Sequence, residues 1–388
     1  MKWISPVCIV EARRTPIGRF GGGLKALSPA DLALAVGQSI VSETLRPQVQ
    51  EVILGQVLQA GSGMNVARQL ALRLGLEQSV PAFTVNMVCA SGLKAVILGA
   101  DAIASGQSSL VLTGGVESMS RAPHYARDVR EGRKLGNSVL EDSILSDGLT
   151  DPVLKLGMGE TAERIVDACG ITREAQDAFA ITSQQRAVAA RGAFQREIVA
   201  VEALGAIVQH DEHVRDDTTL EKLARLKPAF RPQGTVTAGN ASGINDGAAL
   251  LLLASETAAA QQGLKVRARL IASAAVGCDP ATMGLGPVHA IRQLLKETGW
   301  NLEDVDAFEI NEAFAAQALA CAEQLGINQT KLNRRGGAIA LGHPVGCSGA
   351  RVLVTLLHIL EDLNLKRGIV SLCAGGGMGV AVAVERGE

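Results

Sequence analysis

Short β-branched apolar runs alternate with stretches of helical spacing along most of the chain. Val7–Val10, Val52–Val57, Leu110–Thr113, Ala249–Leu253, Arg269–Val276, Val305–Ile310, Gly368–Leu372 and Gly379–Val384 read as strands. Helix signals fall between them. Ser28-Pro29-Ala30-Asp31 offers an N-cap, a proline at the first helical position and an acid three residues after the cap, ahead of Leu32, Val36 and Ile40. Pro287 opens a helix that Gly299 closes, and Gly326 ends one running from Glu312. This alternation predicts βα units around a largely parallel sheet. The middle third, from about Met119 to Asn240, is richer in charge, with clusters at Arg127–Lys134 and Asp211–Asp217. It reads as an inserted excursion carrying helices such as Thr172–Arg191, its charges lying on solvated surface.

Composition sharpens the picture. At 388 residues the chain exceeds what one hydrophobic core usually organises, so two domains or a duplicated core are expected. Hydrophobic residues make up 47%, aromatics only 3%, and 43 residues are glycine, which suits aliphatic strands joined by tight turns. A formal net charge of −2 speaks against a dedicated binder of nucleic acid or anionic membrane. Seven cysteines without a C-x-x-C pair indicate neither a disulfide framework nor a zinc ribbon, and no metal is expected. Free thiols suit a reducing compartment. The N-terminal residues lack a signal-peptide pattern and no apolar run is long enough for a bilayer, so a cytoplasmic location is expected.

A faint internal repeat supports duplication. Cys89 is followed by Ser91-Gly92-Leu93-Lys94, a helix, and a strand ending in Gly114-Gly115; His343 is followed by Ser348-Gly349-Ala350-Arg351, a helix, and a strand ending before Gly375. Two copies of one unit would put Cys89 and the His343 turn at equivalent strand ends.

Three glycine-rich turns carry reactive side chains: V-N-M-V-C-A-S-G with Cys89, A-L-G-H-P-V-G-C-S-G with His343, and S-L-C-A-G-G-G-M-G with Cys373. A thiol at a helix start has its pKa lowered by free N–H groups and the helix dipole, which favours Cys89 as a nucleophile over a small buried hydrophobe. An imidazole between glycine and proline is rigidly held and serves as base or oxyanion donor to two thiols. The N–H groups of Gly375, Gly376 and Gly377 after Cys373 form a candidate anion nest. A nucleotide phosphate loop is the competing reading, but G-x-x-x-x-G-K-[ST] is absent. Asn311 follows the strand at Val305–Ile310 and brings an amide to the same sheet edge. Cys8, Cys169, Cys278, Cys321 and Cys347 lack such settings and read as structural.

These elements resemble the thiolase family over essentially the whole chain. The similarity is carried by A-R-R-T-P-I-G-R-F-G-G, G-Q-V-L-Q-A-G-S-G-M-N-V-A-R-Q, T-V-T-A-G-N-A-S-G-I-N-D-G-A, N-E-A-F-A-A-Q-A, G-G-A-I-A-L-G-H-P-V-G-C-S-G-A-R and C-A-G-G-G-M-G. The acetyl-CoA acetyltransferase branch is the most similar. The resemblance implies a five-layered α-β-α-β-α sandwich of two duplicated halves: residues 1–260, including a loop domain at about 119–248, and residues 265–388. It implies a ping-pong Claisen condensation of two acetyl-CoA and the reverse thiolysis, with Cys89 as acyl carrier, His343 activating it, and Cys373 as acid–base. By the same resemblance Asn311 holds a water that joins His343 in one oxyanion hole, and the N–H groups of Cys89 and Gly375 form the other. Coenzyme A thioesters are then substrates and no cofactor is implied.

Positions matching the coenzyme A contacts are Leu149, Met158, Arg215, Phe230, Ser242, Met283 and Phe314, with Ser242 near the pantetheine and Arg215 near the nucleotide. A homodimer or homotetramer is implied, with Arg127–Leu140 in the loop that pairs dimers. Three positions depart from the family's usual pattern. Ala90 adds a methyl beside the acyl group, Gly157 stands where an imidazole is common, and Ala374 replaces a larger aliphatic residue. The last two would open the acyl site, which keeps a degradative 3-ketoacyl-CoA thiolase for longer chains as an alternative. A thiolase-like acyl-CoA-binding protein without catalysis and a cysteine hydrolase are more remote readings.

Overall fold

The computed structural model describes residues 1–387. Nine principal strands are Lys2–Arg14 (β1), Glu51–Gly55 (β2), Ala82–Val85 (β3), Leu110–Ser118 (β4), Asn245–Ser255 (β5), Ala268–Gly277 (β6), Ala307–Ile310 (β7), Arg367–Ala374 (β8) and Met378–Glu385 (β9). They lie in the order β7-β8-β9-β6-β1-β5-β4-β2-β3, with the two-residue strand Gly18–Arg19 pairing beside β5. The expected largely parallel sheet is corrected: only β7–β8, β2–β4 and β2–β3 run parallel. The reasons are local. Strands β8 and β9 are joined by the three-glycine turn Gly375–Gly377, too short for a crossover, and β1 runs antiparallel to both of its neighbours. The short strand β3, absent from the expected set, extends the sheet just before the Cys89 turn.

Helices Pro29–Ile40 (α1), Val66–Arg73 (α2), Ser91–Ala104 (α3), Met158–Cys169 (α4), Arg173–Ala189 (α5), Gly286–Thr298 (α6), Ala315–Leu325 (α7) and Val345–Asp362 (α8) complete the frame. The α1 cap forms as read: Asp31 N–H donates to Ser28 Oγ at 3.2 Å and Ser28 N–H to Asp31 Oδ2 at 2.8 Å. Gly299 and Gly326 close α6 and α7 in left-handed conformation. Helix α7 starts at Ala315 rather than Glu312, because buried Glu312 accepts from Ser183, Asn333 and the Ile339 N–H and holds Asn311–Phe314 out of the helix.

Alternation along the strands divides the core into layers. Val111, Leu251 and Leu253 face one side, against Leu93, Val96 and Val352 of α3 and α8. Leu110, Leu112, Leu250 and Leu252 face the other, against Leu32, Val36 and Leu70 of α1 and α2. In the C-terminal half Leu372, Val380 and Val382 face α3 and α8, while Ile369, Ala381 and Ala383 face Val288 and Ile291 of α6. The result is five layers with α3 and α8 in the middle. Sixteen of the eighteen residues of α8 are buried, so it has no solvent face and belongs only in that central layer.

The two middle helices, one in each copy of the sequence repeat, meet backbone to backbone: a Cβ at Gly92 of α3 would stand 2.8 Å from the Gly346 carbonyl oxygen, and one at Gly349 of α8 would stand 2.3 Å from the Leu93 nitrogen. Strand β4 comes as close to α8, since a Cβ at Gly115 would stand 2.1 Å from the same Gly346 oxygen. Only glycine admits this approach, and it sets the Cys89 turn beside the His343 turn. The excursion leaves the sheet after Ser118 and returns at Asn245, carrying α4, α5 and two short hairpins.

Candidate active site

The Cys89 turn is locally strained and fully bonded. Val88 is held at φ +49°, rare for a β-branched residue. Its surroundings impose this: Met87 N–H donates to Ser91 Oγ at 2.8 Å, Ser91 Oγ–H to the Val88 carbonyl at 2.6 Å, and Val88 N–H to Asn86 Oδ1 at 2.9 Å. Cys89 emerges 7% exposed, in an apolar cluster with Val57, Leu58, Met119, Ile144 and Val345. The expected lowering of the thiol pKa is corrected: burial pushes it up to about 11, against the lowering influence of the Gly375 and Cys89 N–H groups, with buried Glu117 adding to the rise. The first helical amides are committed elsewhere, Ala90 N–H to the Met87 carbonyl and Ser91 N–H to that of Val88, so they do not turn to the sulfur.

His343 is fixed on three sides. Its N–H donates to Asn245 Oδ1 at 2.9 Å, and Asn245 Nδ2 donates in turn to the Gly18 carbonyl. Gly342, at φ +106°, leaves a space that a side chain would lose to Asn245. His343 Nδ1 lies 2.6 Å from Ser348 Oγ, which donates to the Pro344 carbonyl at 3.0 Å. The hydroxyl has one proton, so both contacts form together only when Nδ1–H donates to Oγ. That leaves Nε2 with its lone pair, buried and without a protein partner. Burial, then the Arg351 guanidinium, hold the imidazole down at about 3, so it is neutral at rest.

Cys373 is the next-to-last residue of β8 and 1% exposed. Burial, and then Cys89, push its thiol well above the usual range. Asn311 comes directly after β7, the parallel neighbour of β8, so both residues stand at the same strand ends. Both polar atoms of the Asn311 side chain are buried without protein partners. Native structures leave few such atoms, and each calls for a ligand, a water or a catalytic role.

The proposed coenzyme A positions divide into two sets. Met158, Met283 and Phe314 share an apolar cluster with Cys373, and Leu149 packs against both this cluster and that of Cys89. Phe230 meets Phe314 edge to face at 5.9 Å. Ser242 joins them through the backbone, its N–H donating to the Ala313 carbonyl at 3.0 Å. Arg215 stands apart on the surface, its N–H bound to Gln184 Oε1. Two of the positions that depart from the family pattern, Ala90 before α3 and Ala374 at the end of β8, are fully buried in the cluster around the central helices, whereas Cys373 belongs to another cluster. At Gly157 a Cβ would meet only Glu160 Oε2, at 3.3 Å.

The residue reading missed three supports: Glu117, Asn245 and Ser348. Glu117 is fully buried and accepts from the N–H groups of Val57, Leu58 and Gly346, which ties β2 and the start of α8 together beneath Cys89. Burial raises its carboxyl to about 7. Asn245 and Ser348 lay within motifs already noted, but nothing in the sequence distinguished them from their neighbours. Cys8, Cys321 and Cys347 are buried in the core, and Cys169 and Cys278 are half-buried; all seven thiols are free. Among the described residues no group of histidine, cysteine, aspartate or glutamate is arranged to hold a metal ion, and no helix is long and apolar enough to cross a membrane.

Two cysteines, a turn histidine and a glycine nest at the strand ends of a five-layered duplicated fold define a thiolase. The thiolase N-terminal domain family matches residues 7–257 and the thiolase C-terminal domain family residues 264–386, so the chain belongs to the thiolase family. It is 51% identical to acetyl-CoA acetyltransferase of Chromobacterium violaceum, over 98% of this chain and 99% of that one. It is 50% identical to the Pseudomonas aeruginosa protein of the same name, at the same coverage. The crystal structure of Bacillus anthracis acetyl-CoA acetyltransferase superposes with a TM-score of 0.95 at 44% identity, over all of both chains. Human mitochondrial 3-ketoacyl-CoA thiolase in complex with CoA gives 0.97 at 42%, over 100% of this chain and 99% of that one.

Proposed function

We propose that the protein is an acetyl-CoA C-acetyltransferase, joining two acetyl-CoA into acetoacetyl-CoA and cleaving acetoacetyl-CoA in reverse through an acyl-Cys89 intermediate. The observation that carries this reading is a buried Cys89 thiol on a turn packed beside Gly375, together with an unpartnered His343 Nε2 and an unpartnered Asn311 amide on the neighbouring turns. Cys89 attacks the thioester carbonyl as its proton passes to Nε2. The imidazolium so formed donates Nε2–H to the developing oxyanion, beside a water held by Asn311. The low basicity of His343 makes the proton transfer favourable only as that negative charge appears. A placed donor of this kind is worth about 3–4 kcal/mol of barrier.

The tetrahedral centre collapses with cleavage of its bond to the coenzyme A sulfur, which leaves as the thiol after taking the Cys373 proton. The Cys373 thiolate then takes a proton from the methyl carbon of the second acetyl-CoA, and the carbanion attacks acetyl-Cys89. The bond to the Cys89 sulfur breaks as acetoacetyl-CoA forms, and Cys89 recovers its proton from the His343 imidazolium. The Cys89 and Gly375 N–H groups hold the second oxyanion.

Coenzyme A thioesters are the substrates and no further cofactor is required. The acyl-CoA lies along Leu149, Met158, Met283, Phe314 and Phe230, with Ser242 beside the pantetheine and Arg215 at the nucleotide end. The protein works in the cytoplasm as a homodimer or homotetramer, supported by free thiols and by exposed Val129, Leu135, Val139 and Leu140 on the loop at 127–140. The test is incubation with acetoacetyl-CoA without free coenzyme A, followed by peptide mass spectrometry. One acetyl group on Cys89, discharged by added coenzyme A and absent from Cys89→Ala, is expected. An unmodified Cys89 would remove the proposal.

A further inference from the structure

We infer that the face remote from the thiols carries a second ligand site, for a compact anion bearing two or three phosphate groups. A cleft of about 780 Å³ opens where β1, the start of β6, the C-terminal end of α8 and the chain end converge. That volume falls within the roughly 300–1,000 Å³ range of small-molecule sites. Arg13, Arg196, Lys265, Arg267 and Arg386 line it, against Glu11, Glu361 and the Asp362 paired with Arg196, so cations outnumber carboxylates among the described residues by two. The whole chain carries −2, so this concentration is not a general property of its surface.

Part of the cluster has a structural purpose. Arg267 holds Glu361 through two bonds, at 2.7 and 2.8 Å, and Arg196 pairs with Asp362, which suits cations at a helix C-terminus. The remaining cations are not consumed in this way. Arg13 takes part in the β1 ladder through its backbone, but the Arg13 and Lys265 side chains make no hydrogen bond or ion pair among the described residues. Among the described residues Arg386 bonds only neutral oxygens, those of Leu365 and Asn364. Glu11 and Arg13 stand two apart on β1 and so share a face, which aims the free guanidinium into the cleft.

Guanidinium groups bind phosphate through paired N–H donors, and several converging on one space favour a polyanion. No Phe, Tyr or Trp among the described residues lines the cleft, so it offers no platform for a nucleotide base. The site is distinct from the acyl-CoA site, since α8 runs between them from the His343 turn to Glu361.

The test is calorimetric titration of the full chain with inorganic triphosphate in low salt, with saturating coenzyme A present to occupy the acyl-CoA site. One triphosphate per chain is expected, weakened at least tenfold in Arg13→Gln/Lys265→Gln and measurably in Lys265→Gln alone, whose side chain is exposed. Thiolysis activity of both variants should be unchanged, which shows that they fold. Absent binding, or binding that both variants retain in full, would overturn the site. Citrate binding as tightly as triphosphate would overturn the phosphate assignment.

Discussion

Replacing Ser348 by alanine tests the proton assignment on which the proposed chemistry rests. The Ser348 hydroxyl is fully buried, accepts from His343 Nδ1 and donates to the Pro344 carbonyl. Its removal leaves a buried Nδ1–H without a partner, which costs about 1–3 kcal/mol. The imidazole escapes part of that cost by moving its proton to Nε2, the atom that must be free to accept from Cys89. Each 1.4 kcal/mol is a factor of ten, so kcat/KM for thiolysis should fall by about 10- to 100-fold. The loss should appear in kcat, with KM changed little, because Ser348 does not line the acyl-CoA path. Rapid-mixing measurement of Cys89 acetylation from acetoacetyl-CoA isolates the step, and Ser348→Thr should recover part of the rate by restoring a hydroxyl. Thermal melting separates misfolding from chemistry. A Ser348→Ala protein that acetylates within twofold of the parent would refute the assignment.

Three further outcomes are expected. Iodoacetamide should label Cys89 before Cys373, since Cys89 is the more accessible, at 7% against 1%; with a thiol pKa near 11 the labelling rate should climb about tenfold per pH unit from pH 7 to 10, and a plateau by pH 8 would contradict it. Burial raises Glu117 from 4.5 to about 7 and Glu309 to about 8, so the folded protein keeps protons that the unfolded chain releases. Stability from these groups is therefore present below pH 4.5 and lost as pH rises toward 7–8, by up to about 3 kcal/mol for Glu117 alone, and Glu117→Gln should flatten that part of the melting-temperature profile. Gly115→Ala would place a Cβ 2.1 Å from the Gly346 carbonyl oxygen; it should cost about 3 kcal/mol or more in denaturant melts and slow Cys89 acetylation by parting β4 from the start of α8.

Much of the fold could be read from the chain because its elements follow local rules. The Ser28 cap, the left-handed closures at Gly299 and Gly326, and the strand alternation depend on neighbours within a few residues. The sheet's direction could not be read this way, since antiparallel pairing of β1 with β5 and β6 joins residues more than two hundred positions apart. Cys89, His343, Asn311 and Cys373 stood out because glycine-rich turns framed them. Glu117 and Ser348 did not, because a buried carboxylate on a strand and a serine on a helix acquire meaning only from the amides and imidazole brought to them. The direction of the Cys89 pKa shift turned on the same limit: the helix start was visible in sequence, but the depth of burial was not. The orientation of Ala90 and Ala374 likewise required knowing which face of each element the central layer covers.

Strand β1 hydrogen-bonds to β5 of the first half through Val7–Arg14 and to β6 of the second through Lys2–Ile9. The two halves thus share one strand, and no plane through the molecule parts them without tearing a ladder. Whatever ancestral independence a duplicated unit possessed has been surrendered at this seam. A nick between Ser255 and Ala268 would leave two pieces still clasped by the same thirteen residues. The seam makes the pair a single cooperative body, within which the Cys89 and His343 turns keep their registration.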